Sequence, residues 1–303
     1  MHTTGNRPQA HAQQPQPRPS ATATPIPRAA PFSPSFPIRS LQDVQQLEAH
    51  PLAEALPVQS TYDIFVNSAA AFGDKTALTF LPTADPAAEP IRWSYAQLLT
   101  GIHQTANLLH HLGVGPQDAV AVLLPGCLEY QLALWGGEAA GIVQPLNPML
   151  TDEKIAAMMT LARAKVLIAY GGEGDLGYWS KALRLRALVP TLTTVLRVAP
   201  HDEATGATTA LPTGVVDLAA RQQQPGDHLV SGRRIAATDI AAYFHTGGTT
   251  GAPKLARHSH GAQVFTAWGS VQMQGIRPED VGINGYPLFH VAGVLPGSLA
   301  ALS

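Results

Sequence analysis

Between Lys75 and Tyr170 short apolar runs of strand type alternate with longer stretches that carry one apolar stripe, and this alternation limits the folds open to the chain. Residues 76–81 read as a strand, with 91–93 as its hairpin partner across a Pro- and Ala-rich loop. Ser94 has Gln97 three places on, a capping box. Leu98, Leu99, Ile102, Ala106, Leu109 and Leu112 then form one helical stripe that ends at Gly113. A buried-type strand follows over 119–124, a helix over 128–140, a short strand over 142–146, a helix opened by Thr151 and a strand over 165–170. Repeated βα units imply parallel strands covered by helices on both faces. The expected class is therefore α/β, with largely parallel sheet layers flanked by helices. Residues 200–234 are polar, with Gly and Pro, and read as a surface excursion before the next strand, over 240–245.

Ahead of this pattern, residues 1–39 hold nine of the 26 prolines and no Asp or Glu. Such a segment cannot bury enough apolar surface to offset chain entropy, so a disordered Pro-rich tail is expected there. Order is expected from Ser40, where Leu41, Val44 and Leu47 recur at helical spacing, with a second helix over 62–72. The tail lacks the apolar centre of a signal peptide. No run reaches the roughly 18 apolar residues needed to cross a bilayer, because Glu129, Gln131, Glu138 and the Gly136-Gly137 pair interrupt the longest candidates. The single cysteine, Cys127, excludes an intrachain disulfide and suits a reducing compartment, so a cytoplasmic address is expected. With 19 basic and 21 acidic side chains there is no field to steer a polyanion, and nucleic-acid binding is not expected.

The chemistry concentrates in Tyr243-Phe-His-Thr-Gly-Gly-Thr-Thr-Gly-Ala-Pro-Lys254, a strand that runs into a loop of Gly, Thr and one Lys. Gly247, Gly248 and Gly251 permit positive φ and close approach of backbone N–H groups to an anion. Thr246, Thr249 and Thr250 add hydroxyl donors, and Lys254 adds a mobile point charge suited to phosphate oxygens. The composition asks for a polyphosphate. The spacing is not that of a Walker loop, since Lys254 lies three residues past Gly251 and precedes Leu255; nor does it match the G-x-G-x-x-G of a dinucleotide fold. A plain Gly/Thr turn between strands would account for the glycines but not for three threonines and a lysine.

Residues 246–254, within YFHTGGTTGAPKLARHSH, closely resemble the signature of the AMP-forming acyl-CoA synthetases of the adenylate-forming family. LLPGCLEYQLALWGGEAAGIVQPLNP, from Leu123 to Pro148, and YPLFHVAG, from Tyr286 to Gly293, resemble two further family segments in the same order. Within the family the likeness is to the fatty-acid type. It implies the fold of the family's N-terminal domain and a two-step ligase: ATP and a carboxylic acid give an acyl-adenylate, and coenzyme A then gives the thioester. By resemblance the loop, with Thr246, Gly247, Gly248, Thr249, Thr250, Gly251 and Lys254, closes over the ATP phosphates with Mg2+ sharing the charge, and His290 lies beside the acyl pocket. Lys254 and His290 are the catalytic candidates. The family's adenine-stacking segment, its ribose-binding aspartate and its mobile C-terminal domain have no counterpart in 303 residues. The expectation is thus a partial AMP-binding domain over 40–303, truncated before its C-terminal part and lid, or a non-catalytic remnant that keeps the phosphate loop.

Other polar residues read more plainly. His258 and His260 are expected to share a strand face, without a third ligand at zinc-like spacing, as solvated or hydrogen-bonded side chains rather than a metal site. His103, His110 and His111 are expected on the polar face or end of the long helix. Cys127 reads as a packed thiol, and Trp93 and Trp135 as packing residues. The apolar run from Val291 to Ser303 reads either as a helix ending flush with the terminus or as an interrupted element.

Overall fold

A computed structural model describes residues 37–49, 51, 56, 58–85, 87–201, 203, 211–246 and 254–303. Residues 1–36, and Gly247 to Pro253 of the Gly/Thr loop, lie outside the described residues. The opening helices are set by local chemistry. Helix α1 (Leu41–Glu48), α2 (Thr61–Phe72) and α3 (Tyr95–His111) each start at a serine, Ser40, Ser60 and Ser94, in a reciprocal capping box with Asp43, Asp63 and Gln97. Each box satisfies two N–H groups that the first turn would otherwise leave without partners. Strands β1 (Thr76–Phe80) and β2 (Ile91–Ser94) pair antiparallel as a separate hairpin.

The main sheet contains β3 (Ala119–Leu123), β4 (Ile142–Pro145), β5 (Ala164–Tyr170), β6 (Thr194–Val198), β7 (Val215–Asp217), β8 (Ile240–His245) and β9 (Leu255–Ser259). Their spatial order is β7-β6-β5-β3-β4-β8-β9, all parallel except β9, which returns antiparallel beside β8. Crossover helices are α4 (Leu128–Ala140), α5 (Asp152–Ala162) and α6 (Tyr178–Leu188). The largely parallel sheet expected from the alternation is what forms.

The two-residue period of the strands sorts their side chains into two cores. Val120, Val122, Val166 and Ile168 face one layer with Phe65, Leu98, Ile102, Leu109 and Trp135 of α2, α3 and α4. Ala121, Leu123, Leu167 and Ala169 face the other, against Ile155, Met159 and Leu185 of α5 and α6. Phe65 and Trp135 stack at 5.1 Å between ring centroids, and the Trp135 indole N–H donates to Gln131 Oε1 at 2.8 Å. Burying either ring stabilises the fold by roughly 2–3 kcal/mol. The turn from α4 into β4 requires Gly141, because a Cβ there would sit 2.5 Å from the Asp118 carbonyl oxygen.

Several expectations need correction. Residues 200–234 are more than a surface excursion: β7 extends the sheet, and Leu218, in a 3-10 turn over Leu218–Gln223, is 2% exposed. The polar composition misleads because an edge strand needs only three residues of pattern. Asn107 of α3 anchors the stretch beyond, donating through Nδ2 to the carbonyls of Pro225 and His228 and accepting from the Val230 N–H. His103 is buried, not on a polar face. Its Nδ1 meets the Gly226 carbonyl at 2.9 Å and its Nε2 the Tyr62 hydroxyl at 2.8 Å, and burial lowers its pKa. His110 and His111 are exposed in the last turn of α3.

Helix α7 (His260–Gln274) follows β9 directly, so His258 and His260 do not share a strand. The apolar end is seated on the first core. Helix α8 (Val291–Val294) continues through a wider turn over Leu295–Leu299 to Ala300–Leu302, with Val294, Leu295, Leu299 and Leu302 buried. Ser298 Oγ donates to Gln131 Oε1, and Ser68 Oγ to the Leu302 carbonyl.

Candidate functional site

The Gly/Thr segment sits where the topology places chemistry. Strand β8 runs parallel to β4, so its last residue, His245, lies at the carboxyl edge of the sheet, where open α/β sheets bind ligands. Strand β9 begins at the same edge, paired as His245 with Leu255. One step further out the Thr246 N–H donates to the Lys254 carbonyl at 3.1 Å, and the Thr246 hydroxyl reaches the same oxygen at 3.5 Å. These contacts join the two ends of the Gly/Thr segment at the edge of the sheet. Thr246 and the exposed Lys254 are thus held side by side. Gly247, Gly248, Thr249, Thr250 and Gly251 are outside the described residues.

His290 comes to the same region from a distant part of the sequence. The Phe289 ring lies 6.4 Å from that of His245, and His290 is close enough to lower the His245 pKa. Burial is the larger cause of that shift. Exposed His290 is also the N-cap of α8, where its Nδ1 accepts from the Ala292 N–H at 3.1 Å. A nitrogen that accepts carries no proton, so in neutral His290 the proton is on Nε2, as a donor. The structure therefore brings Thr246, Lys254 and His290 to one edge and gives His290 a capping role that the sequence did not suggest.

His245 has a place of its own in this arrangement. The sequence alone gives it no role. It is half-buried at the end of β8, next to Thr246, and its Nδ1 is buried without a partner. The available signal was its position, the last strand residue before the loop. His258, by contrast, packs edge-on against Phe244 at 5.1 Å. Cys127 precedes α4 as its N-cap without a capping bond, and burial pushes its thiol pKa up, the reverse of what a nucleophile needs. No group of three or more His, Cys, Asp or Glu side chains suited to a metal occurs among the described residues.

A largely parallel sheet clad by helices on both faces, with a Gly/Thr/Lys hairpin at its carboxyl edge, is the architecture of the N-terminal domain of adenylate-forming enzymes. The chain belongs to the AMP-binding enzyme family, whose profile matches residues 65–303. It is 31% identical over 286 residues to marinolic acid–CoA ligase of Pseudoalteromonas sp. (strain SANK 73390), a match that covers 90% of this chain and 42% of the relative. It is 32% identical over 213 residues to long-chain fatty acid transport protein 1 of Mus musculus, covering 70% of this chain and 31% of that one. Among solved structures, a long-chain-fatty-acid–CoA ligase of Archaeoglobus fulgidus superposes with a TM-score of 0.65 at 17% identity, over 80% of this chain and 45% of the other. The chain thus spans less than half the length of these relatives. No helix among the described residues is long and apolar enough to cross a membrane.

Proposed function

We propose that this chain carries the phosphate-handling and acid-binding edge of an AMP-forming acid–thiol ligase. In the first step a carboxylate oxygen of the acid attacks the α-phosphorus of ATP, and the bond to pyrophosphate breaks. In the second the coenzyme A thiol attacks the acyl carbonyl and AMP leaves. Thr246, Gly247, Gly248, Thr249, Thr250 and Gly251 would supply N–H and hydroxyl donors to the β- and γ-phosphates, with Lys254 as their charge. Donors held in place before reaction stabilise the charge that develops on the leaving pyrophosphate. His290, whose Nδ1 is taken up by the Ala292 N–H, would offer its Nε2–H as a donor beside the acid. The observation that carries this reading is the Thr246–Lys254 closure at the carboxyl edge of a parallel sheet.

Magnesium is the usual partner of a nucleotide's phosphates and often keeps only one or two protein carboxylates. The described residues contain no group of three or more His, Cys, Asp or Glu side chains that could hold it. The acid is proposed to be fatty or otherwise hydrophobic, supported by relatives named for marinolic acid and long-chain fatty acids. Residues 40–303 are proposed to be part of the AMP-binding domain and 1–39 a separate tail. A cytoplasmic location is supported by the single cysteine.

Titration of the chain with ATP and Mg2+ tests the site. Lys254→Ala should weaken binding about tenfold or more, as loss of a charge-assisted phosphate contact does; unchanged affinity refutes the role given to the loop. Pyrophosphate–ATP exchange with a panel of fatty acids tests the reaction. Absence of exchange both alone and after addition of the C-terminal half of a relative would favour a phosphate-binding module without catalysis.

A further inference from the structure

At the opposite end of the β8–β9 hairpin from the loop lies a buried polar chain that the proposed reaction does not use. Glu138, in the last turn of α4, is 1% exposed. Its Oε2 is 2.7 Å from the Thr61 hydroxyl, and its Oε1 accepts from Gln263 Nε2 at 2.9 Å. The same Thr61 hydroxyl is 2.9 Å from Nδ1 of His260, which is fully buried. His260 opens α7 directly after β9, and its N–H donates to the Asp239 carbonyl just before β8. The chain therefore ties α2 and α4 to the seat of the hairpin that carries Thr246 and Lys254.

The charged groups around it are few. Arg233 donates through Nη1 to the backbone carbonyls of Glu138 and Ala139, not to the Glu138 carboxyl, and its Nη2 faces Asp239 at 3.5 Å. Asp239 also accepts from the Ala236 N–H. The direct partners of the Glu138 carboxyl are thus a hydroxyl and an amide, both neutral. An ionised carboxylate so buried pays heavily for lost hydration. Burial raises the Glu138 pKa to about 7, against the lowering effects of Thr61, Gln263 and Arg233, and lowers that of His260 to about 3, with Arg233 adding to the effect.

A hydroxyl has one proton, so Thr61 can donate to only one of its two partners. When Glu138 is protonated it donates to Thr61, Thr61 donates to His260 Nδ1, and neutral His260 carries its proton on Nε2. When Glu138 is ionised it accepts from Thr61, which accepts from Nδ1–H, and Nε2 is bare. His260 Nε2 is buried without a partner, so no second bond fixes the tautomer and Thr61 alone decides it. We infer that Glu138, Thr61 and His260 form a proton-controlled relay in which loss of one proton from Glu138 reverses both hydrogen bonds and switches the His260 tautomer, at the seat of the loop-bearing hairpin.

The test needs neither nucleotide nor activity, so it stands or falls apart from the proposed reaction. The full chain, labelled with 15N in histidine, is followed by two-bond 1H–15N correlation from pH 5 to 9, with His260 assigned by its loss in His260→Asn. The expected result is neutral His260 throughout, passing from the Nε2–H to the Nδ1–H form with a midpoint near 7. The tautomer ratio should move about tenfold per pH unit near that midpoint. In Glu138→Gln the tautomer should no longer respond to pH. In Thr61→Val, Glu138 should still titrate by its 13C carboxyl signal while His260 no longer follows. An unchanged wild-type tautomer, or a switch that persists in Glu138→Gln, overturns the relay. Should that variant fail to fold, a wild-type Glu138 carboxyl titration whose midpoint differs from that of the tautomer overturns it equally.

Discussion

Helices α3 and α4 cross closely because glycines face each partner, and Gly136→Ala tests how rigid that crossing is. A Cβ at Gly136 would lie 2.7 Å from Thr105 Cβ, 2.9 Å from Thr105 Cγ2 and 3.1 Å from the Ile102 carbonyl oxygen. Thr105 is fully buried, and no side-chain rotation moves a Cβ or a carbonyl, so relief must come from shifting α3 against the sheet. Overpacking of this kind costs typically 1–3 kcal/mol. Alanine is also the better helix former by about 1 kcal/mol, which offsets part of the loss. The expected net change is a destabilisation of about 1–2 kcal/mol. Gly101→Ala is the internal control on the facing helix. Its new Cβ would meet Leu132 Cδ2 at 2.7 Å, the terminal methyl of a side chain that can turn, and nothing else closer than 3.4 Å. There the gain in helix propensity should nearly cancel the packing cost. Urea unfolding followed by tryptophan fluorescence compares the two midpoints with wild type. Gly136→Ala as stable as wild type, or less damaging than Gly101→Ala, would refute the argument that immovable backbone and Cβ atoms set this contact.

Two further outcomes follow from buried polar groups. The Glu138 pKa is raised from 4.5 to about 7, so the folded state holds its proton more tightly; the stability this contributes is full below pH 4.5 and is lost as pH rises through 7. His260, lowered from 6.5 to about 3, has the opposite slope: its contribution is present above pH 6.5 and lost on acidification, so in wild type the two offset one another between pH 4.5 and 6.5. Glu138→Gln, neutral at every pH, should gain about 3 kcal/mol relative to wild type as pH rises from 4.5 to 7, at about 1.4 kcal/mol per pH unit; a difference independent of pH in denaturant melts would sink this reading. Asn107→Ala removes three hydrogen bonds that fasten residues 225–230 to α3 and should cost about 2–3 kcal/mol at roughly 1 kcal/mol each. Hydrogen exchange should show faster exchange at Val230 in that variant, and an unchanged rate would argue against the anchor.

Legibility in the sequence followed the range of the interactions. The capping box at Ser94 acts over three residues and was readable, as was α4, which spans the residues that its pattern predicts. Strand β7 was missed because three residues carry too little pattern to stand out from the polar sequence around them. The histidines misled for a different reason. Periodicity reports which face of a helix a residue occupies, but His103 is buried because Tyr62 and the Gly226 carbonyl, far away in sequence, supply its two partners.

Strand propensity and apolar stripes determined by themselves the α/β class and the parallel sheet, because each is a matter of neighbouring residues or a short repeat, and the likeness of three short segments to a known family's signature pointed to the family. Only the tertiary structure decided that Thr246 and Lys254 close the loop at the carboxyl edge, that His290 reaches this edge while capping its own helix, and that Glu138, Thr61 and His260 meet. Those contacts join residues up to 199 positions apart, and a sequence carries no local term for a hydrogen bond whose partner is fixed by the path of the whole sheet.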